Sequence, residues 1–331
     1  MHVAVFSTQS YDREYFDRAN DGQHELSYLK TSLEKDTVAL ARDAEAVCVF
    51  VNDDLSAGVI AQLAEQGVRL IALRCAGFNN VDLEAAEDHG IRVVRVPAYS
   101  PEAIAEHALA LILTLNRKTH KAYNRVREGN FSLERMVGFN LYGKTIGVIG
   151  TGRIGRAFCT LLQGFGCIVL GYDKFPNADV PVKYVKLDEL YRRSDIVSLH
   201  CPLNEETHHL IDEAALEKMK DGAMLINTSR GGLVKTKAAI HALKHRKLGY
   251  LGLDVYEQEE ALFFQDHSES IIPDDMIARL MSFPNVLVTA HQGFFTAEAL
   301  TQIAETTIDN ISAFASDGPL TNEVKAEGHA A

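Results

Sequence analysis

The chain is predicted to be an α/β protein of two domains, each built on a parallel sheet. Three observations predict this class. Short apolar runs of strand length alternate with amphipathic stretches along most of the sequence. Lys144 to Asp173, KTIGVIGTGRIGRAFCTLLQGFGCIVLGYD, reads as strand, glycine-rich turn, helix and second strand in succession. The length of 331 residues accommodates two domains.

Residues 1–98 supply strand candidates at Val3–Phe6, Ala46–Val51, Leu70–Arg74 and Arg92–Val96. Amphipathic stretches such as Thr37–Ala44 and Ala57–Gln66 fall between them and are expected to be helical. No GxGxxG occurs here, so this half has a different task from the Lys144–Asp173 unit. The loop from Arg74 to Asp82 follows a strand. Gly77 would permit a turn that exposes backbone N–H groups, a nest able to hold a carboxylate. An ordinary strand-to-helix turn would read the same way.

Tyr99-Ser100-Pro101 looks like a domain edge, with Ser100 as helix cap and Pro101 in the first turn. The helix expected over residues 102–119 is apolar on more than one face, which fits a position between domains. His107 within it is expected to be a satisfied core histidine. Residues 120–141 are polar and mixed, and read as an exposed excursion that suits a subunit contact.

In the Lys144–Asp173 unit, Gly150 allows the tight strand-to-helix turn. Gly152 leaves room for a pyrophosphate to approach the backbone, and Gly155 lets the helix pack close to the strand. The helix, with Ile154, Phe158, Leu161, Leu162 and Phe165 on one face, presents unpaired N–H groups and partial positive charge to the phosphates. Asp173 lies about 20 residues on, where a carboxylate bonds a ribose hydroxyl. A 2′-phosphate there would meet like charge, so the expected cofactor is NAD, although Lys174 follows directly. This is a Rossmann-type dinucleotide-binding unit.

Further strands are expected at residues 196–200, 225–228, 251–255 and 286–289. Each delivers polar residues at its C-terminal end, where open parallel sheets bind ligands. Thr228, Ser229, Arg230, Asp254, Glu259 and His291 can therefore converge on the crevice that Gly150–Gly155 opens.

Composition sets outer bounds. Apolar content of 47% and charged content of 24% fit a soluble globular protein. A net charge of −12 argues against nucleic acid and anionic membrane as partners. The start at His2–Phe6 reads as a strand with no basic segment before it, rather than as a signal peptide. The most apolar run, Ala108–Leu115, is too short to span a bilayer. The five cysteines, Cys48, Cys75, Cys159, Cys167 and Cys201, form no metal spacing. Four of them sit in apolar surroundings, which fits reduced, buried thiols in a cytoplasmic protein. Cys201 stands near the expected cofactor but reads as packing.

The segments CAGFNNVDLEAA, VPAYSPEAIAEHALALILTLNR, GKTIGVIGTGRIG, SLHCPL, NTSRGGLV, LGLDVYEQEEALFFQD and AHQGFFTAEAL carry a resemblance. Over essentially its full length the chain resembles the D-isomer-specific 2-hydroxyacid dehydrogenases, most of all the fermentative D-lactate dehydrogenases of bacteria. Glu259 is followed by Glu260 where phosphoglycerate and formate relatives commonly have Pro, and the LFFQD tail looks like the lactate subgroup.

The resemblance implies two Rossmann/flavodoxin-like domains with the active-site cleft between them. Residues 1–99 and 295–331 would form the substrate domain and 100–294 the NAD-binding domain, with hinges near Tyr99 and Phe294. It places the catalytic Arg at Arg230, the Glu at Glu259 and the His at His291. It implies carboxylate binding around Ala76 and Gly77, and substrate contacts at Tyr99 and Phe294. For NAD it implies Arg153 and Ile154 at the pyrophosphate and Asp173 at the ribose. Cys201, Pro202 and Thr207 would lie along the adenosine side, with Thr228 to Arg230 and Asp254 near the nicotinamide.

The implied reaction is reversible reduction of pyruvate to D-lactate by NADH. His291 would exchange the proton, since an imidazole ordinarily titrates near neutrality. Glu259 would bond its other nitrogen. The planar Arg230 fork would hold the substrate carboxylate and polarise the ketone. The resemblance also implies a homodimer or homotetramer. Two rivals remain at this stage. One is a dehydrogenase for a larger 2-keto acid, against which bulky Tyr99 and Phe294 suggest a small pocket. The other is an NAD-sensing binding protein like the C-terminal-binding corepressors.

Overall fold

The computed structural model describes residues 1–259, 262–264 and 266–326; Glu260, Ala261 and Gln265 of the LFFQD-bearing segment lie outside this range. The chain forms two compact units, Met1–Ser100 with the chain from Phe295, and Pro101–Phe294. Ser100 belongs to the first because its N–H donates to Gln302 Oε1 at 3.0 Å.

The first unit carries strands β1 (His2–Val5), β2 (Glu25–Tyr28), β3 (Ala46–Val49), β4 (Leu70–Leu73) and β5 (Arg92–Arg95). They form one parallel sheet in the order β2-β1-β3-β4-β5. Along β4, Ile71 and Leu73 enter one apolar cluster while Leu70 and Ala72 enter another on the opposite face. Both faces are covered, as parallel sheets require. One cover is the long helix Ala297–Ala315, whose Ala304, Ile308 and Ile311 pack on Val3, Val5 and Val94.

The second unit carries β6 (Thr145–Ile149), β7 (Ile168–Tyr172), β8 (Lys183–Tyr184), β9 (Ile196–Leu199), β10 (Ala223–Asn227), β11 (Leu248–Leu253) and β12 (Val286–Val288). All pair in parallel, in the order β12-β11-β10-β9-β6-β7-β8. The order reverses at β6. The crevice beyond the C-terminal ends of β6 and β9 is therefore the ligand position of a doubly wound sheet.

Three expectations need correction. Thr37–Ala44 is not a helix but a single 3-10 turn, Val38–Ala41. Thr37 Oγ1 donates to the Ser32 carbonyl and accepts from Glu34 N–H, which is a competing local bond, and Asp43 is left-handed at φ +69°. The helix expected over residues 102–119 spans Pro101–Arg117, because Lys118 turns left-handed at φ +52° and its Nζ donates to the carbonyls of Arg135 and Val137. The stretch read as an exposed excursion then opens with a second helix, Thr119–Arg127, none of whose residues is buried. Phe165 leaves the apolar face assigned to it, since the helix ends at Gly164 and the ring is 37% exposed.

Candidate active site

The glycine turn is built from three different needs. Gly150 sits at φ +90°, and a Cβ there would meet Cys201 N and the His200 carbonyl carbon at 2.5 and 2.6 Å. A Cβ on Gly155 would collide with the Gly150 carbonyl. A Cβ on Gly152 would meet nothing within 4 Å, so open space lies in front of this turn. Gly152 caps the helix Arg153–Gly164, and Arg153 in its first turn is exposed while Ile154 is half-buried. Free N–H groups of the first turn and unfilled room at Gly152 fit a pyrophosphate.

The Asp173 carboxylate is held against this turn. Its Oδ2 accepts from Thr151 N–H at 2.6 Å and Thr151 Oγ1 at 3.0 Å; its Oδ1 accepts from Phe175 N–H at 2.9 Å. Thr151 Oγ1 also lies 2.8 Å from Tyr184 Oη. An ionised carboxylate has about four lone-pair sites, so one remains on Oδ1 for a ribose hydroxyl. Lys174 turns away, with Nζ 2.9 and 2.7 Å from the two Glu206 oxygens.

Beyond β9, Cys201 is 8% exposed, and burial pushes its thiol up to about 11, so it is protonated and serves packing. The Pro202 carbonyl accepts from Thr207 Oγ1 at 2.7 Å, which closes the loop along that side. None of the five cysteines is in a disulfide. His200 is half-buried beneath the glycine turn, its ring against that of Phe158, and burial lowers its pKa from 6.5 to about 3. An imidazole that stays neutral when folded but charges when unfolded stabilises the fold fully above pH 6.5. That stability is lost as pH falls from 6.5 towards 3, by as much as about 5 kcal/mol. His200→Asn is therefore expected to flatten the fall in urea midpoint between pH 7.5 and pH 5, whatever its effect at pH 7.5. An unchanged slope would show that His200 is not its source.

Residues beyond β10 and β11 are tied to one another. Asp254 N–H donates to the Asn227 carbonyl at 2.9 Å, and Asn227 Nδ2 donates to the Arg230 carbonyl at 2.8 Å. Ser229 Oγ donates to the Cys201 carbonyl, and Arg230 Nη1 donates to the Ser229 carbonyl at 2.7 Å. A Cβ on Gly231 would overlap the Tyr256 carbonyl, so only glycine lets the Arg230 turn pack on the segment that leads to Glu259. Thr228 is buried, and its Oγ1 has no partner among the described residues, which leaves a donor for a ligand at this strand end.

His291 Nδ1 lies 2.8 Å from Glu259 Oε1, with both side chains about four-fifths buried. Glu259 Oε2 accepts from Tyr256 N–H at 2.7 Å, so the carboxylate is itself oriented. The Phe264 ring packs 5.9 Å from the imidazole, which shields the pair. His291 is left-handed at φ +51°, a conformation a non-glycine residue adopts only under constraint. The constraint is Asp254. Its carbonyl accepts from His291 N–H at 2.7 Å, and its carboxylate accepts from Gln292 N–H, Gly293 N–H and Thr289 Oγ1.

His107 Nε2 closes this set 3.1 Å from Asp254 Oδ1, and the pairing, with the other bonds, holds that carboxyl below its usual range despite burial. Asp254 is only 1% exposed, so its carboxylate faces the turn rather than open space. Its role in holding His291 has no local sequence signal, because the bonded positions are a strand apart. Phe294 is buried at the end of this unit, and Tyr99 is half-buried in the first. Ala76 and Gly77 lie just after β4 in the first unit.

Three comparisons bear on this geometry. The family model described as D-isomer specific 2-hydroxyacid dehydrogenase, NAD binding domain, matches residues 109–293. The 2-hydroxyacid dehydrogenase A of Aspergillus oryzae is 55% identical, over 99% of this chain and 96% of its own. The D-lactate dehydrogenase of Escherichia coli is 53% identical, over 94% of this chain and 96% of its own. A solved structure described as the pyruvate reductase of Chlamydomonas reinhardtii superposes with a TM-score of 0.93 at 47% identity, covering 97% of this chain and 98% of that one.

Proposed function

The chain belongs to the D-isomer-specific 2-hydroxyacid dehydrogenases, NAD-linked oxidoreductases, and from that membership we propose that it reduces pyruvate to D-lactate, reversibly. NAD, when bound, supplies or accepts the hydride. The observation that carries the reading is the Glu259–His291 pair beyond the ends of the nucleotide sheet. With Nδ1 turned to Glu259, His291 offers Nε2 to the substrate oxygen as acid in reduction and as base in oxidation. The Glu259 carboxylate fixes the orientation of the ring. Arg230 leaves its Ser229 contact to clamp the substrate carboxylate and polarise the ketone. The Ala76–Gly77 N–H groups take the same carboxylate, and Tyr99 and Phe294 limit the side chain to a methyl; these three roles rest on the resemblance alone. A panel of 2-keto acids with NADH tests the substrate. The highest kcat/KM on pyruvate is expected, and a larger or aromatic 2-keto acid ahead of it would overturn the assignment.

Cofactor choice is assigned to Asp173. Asp173→Ala is expected to raise the NADPH/NADH ratio of kcat/KM about tenfold or more, because the like charge that repels a 2′-phosphate is gone. Glu206→Gln added to it should raise the ratio further by releasing Lys174. An unchanged ratio in Asp173→Ala would place the discrimination elsewhere.

The same proposal includes a homo-oligomer in the cytoplasm. Tyr123, Val126, Phe131, Leu133, Val137 and Tyr142 are exposed on one continuous stretch of chain, with Leu133 and Val137 each 82% exposed. Apolar surface of that kind is ordinarily covered by another copy. No helix among the described residues is long and apolar enough to cross a membrane.

A further inference from the structure

We propose that Arg95 is a positioning residue for the substrate carboxylate: from the end of β5 it fixes the peptide plane that aims the Gly77 N–H. This rests on the assignment of the Ala76–Gly77 loop to that carboxylate. In a trans peptide the C=O of one residue and the N–H of the next point in opposite directions. Whatever holds a carbonyl therefore aims the following N–H away from itself.

Three successive carbonyls of this loop are held. The Cys75 carbonyl accepts from Val96 N–H at 3.2 Å. The Ala76 carbonyl accepts from Arg95 Nη1 at 2.8 Å, and the Gly77 carbonyl accepts from the Cys75 thiol at 3.2 Å. No peptide among the described residues is cis. The N–H groups of Ala76 and Gly77 are thus directed away from Val96 and from the Arg95 guanidinium. Among the described residues neither N–H has a protein acceptor. The loop is closed on its far side by Asn80, whose Nδ2 reaches the carbonyls of Phe50 and Asp53 at 3.2 and 2.9 Å.

Arg95 is the only one of these holders that is a flexible side chain with a charge. Its guanidinium also lies over the Phe78 ring at 5.0 Å. One planar group thereby touches the loop on both sides of Gly77, at Ala76 and Phe78. It is itself fixed at its backbone: its N–H donates to the Asn322 carbonyl at 3.1 Å and its carbonyl accepts from Asn310 Nδ2 at 2.9 Å. Without this contact the planar Ala76–Gly77 peptide can swing as a unit about the Ala76 ψ and Gly77 φ bonds, and its donors would scatter. An aimed N–H donated to a carboxylate is a charge-assisted bond, so losing the aim weakens substrate binding about ten- to hundredfold.

The test is steady-state kinetics with pyruvate on the full-length protein, with NADH binding by fluorescence in the same samples. In Arg95→Leu, pyruvate KM and the Kd of oxamate, a carboxylate-bearing isostere, are expected to rise about ten- to hundredfold. The kcat at saturation and the NADH Kd should stay near those of the parent. Arg95→Lys keeps a donor but loses the planar stack, and should fall between; it also serves if the leucine variant does not fold. Gly77→Pro removes the N–H itself and reports on the underlying reading. A raised KM in Gly77→Pro with parental KM in both Arg95 variants would overturn the role of Arg95 and leave the loop assignment standing. Parental KM in Gly77→Pro as well would remove the loop assignment, and the role of Arg95 with it. A fall in kcat without a rise in KM in Arg95→Leu would mark a general structural residue and contradict the proposal.

Discussion

His291→Asn is expected to lower kcat by about two to four orders of magnitude while NADH binding persists. Asparagine is the informative replacement because position 291 is left-handed, at φ +51°. Asparagine tolerates that region, whereas alanine would add backbone strain on the order of 1 kcal/mol to the loss of the imidazole. A fall in kcat for asparagine therefore reports the missing proton donor. The turn itself should persist, since Asp254 holds it through the main-chain N–H groups of His291, Gln292 and Gly293. Pre-steady-state hydride transfer, followed as NADH absorbance, measures the step directly. Near-parental turnover would remove His291 from the chemistry.

Arg230→Lys is the second large effect. A guanidinium can grip a carboxylate with two parallel N–H donors and still polarise the ketone; an ammonium is a point charge without that fork. Loss of one charge-assisted bond is worth about 1.5–3 kcal/mol, so kcat/KM on pyruvate should fall about ten- to hundredfold. The loss should appear in both KM and kcat, because in the proposed role the same group acts on the bound ketone and on the carboxylate. The turn that carries residue 230 is held by Asn227 and by the close packing of Gly231, neither of which depends on the arginine side chain. Unchanged kinetics would show that another group binds the carboxylate.

The nucleotide crevice was the most legible part of the sequence. Gly150 and Gly155 each answer a local steric demand and Gly152 leaves open space before the turn, and local demands leave local patterns. The parallel sheets were legible for the same reason: fully buried strands such as Ala46–Val49 read as continuous apolar runs. Elements governed by one side chain were not. Lys118 ends a helix that its neighbours would continue, and Thr37 diverts a helical pattern into one turn. Glu259 and His291 are 32 positions apart, so their pairing entered through family resemblance rather than spacing. The bracing of the His291 turn by the Asp254 carboxylate was not legible, because its partners lie at positions 289–293. Arg95 gave no signal at all, because its contact is to a main-chain carbonyl that any sequence would supply.

The most direct measurement is the chirality of the product when the protein is given pyruvate and NADH. One D-lactate formed for each NADH oxidised, with no L-lactate detected by chiral chromatography, is the predicted result. L-lactate, or tight NADH binding with no 2-keto acid reduced, would contradict the account.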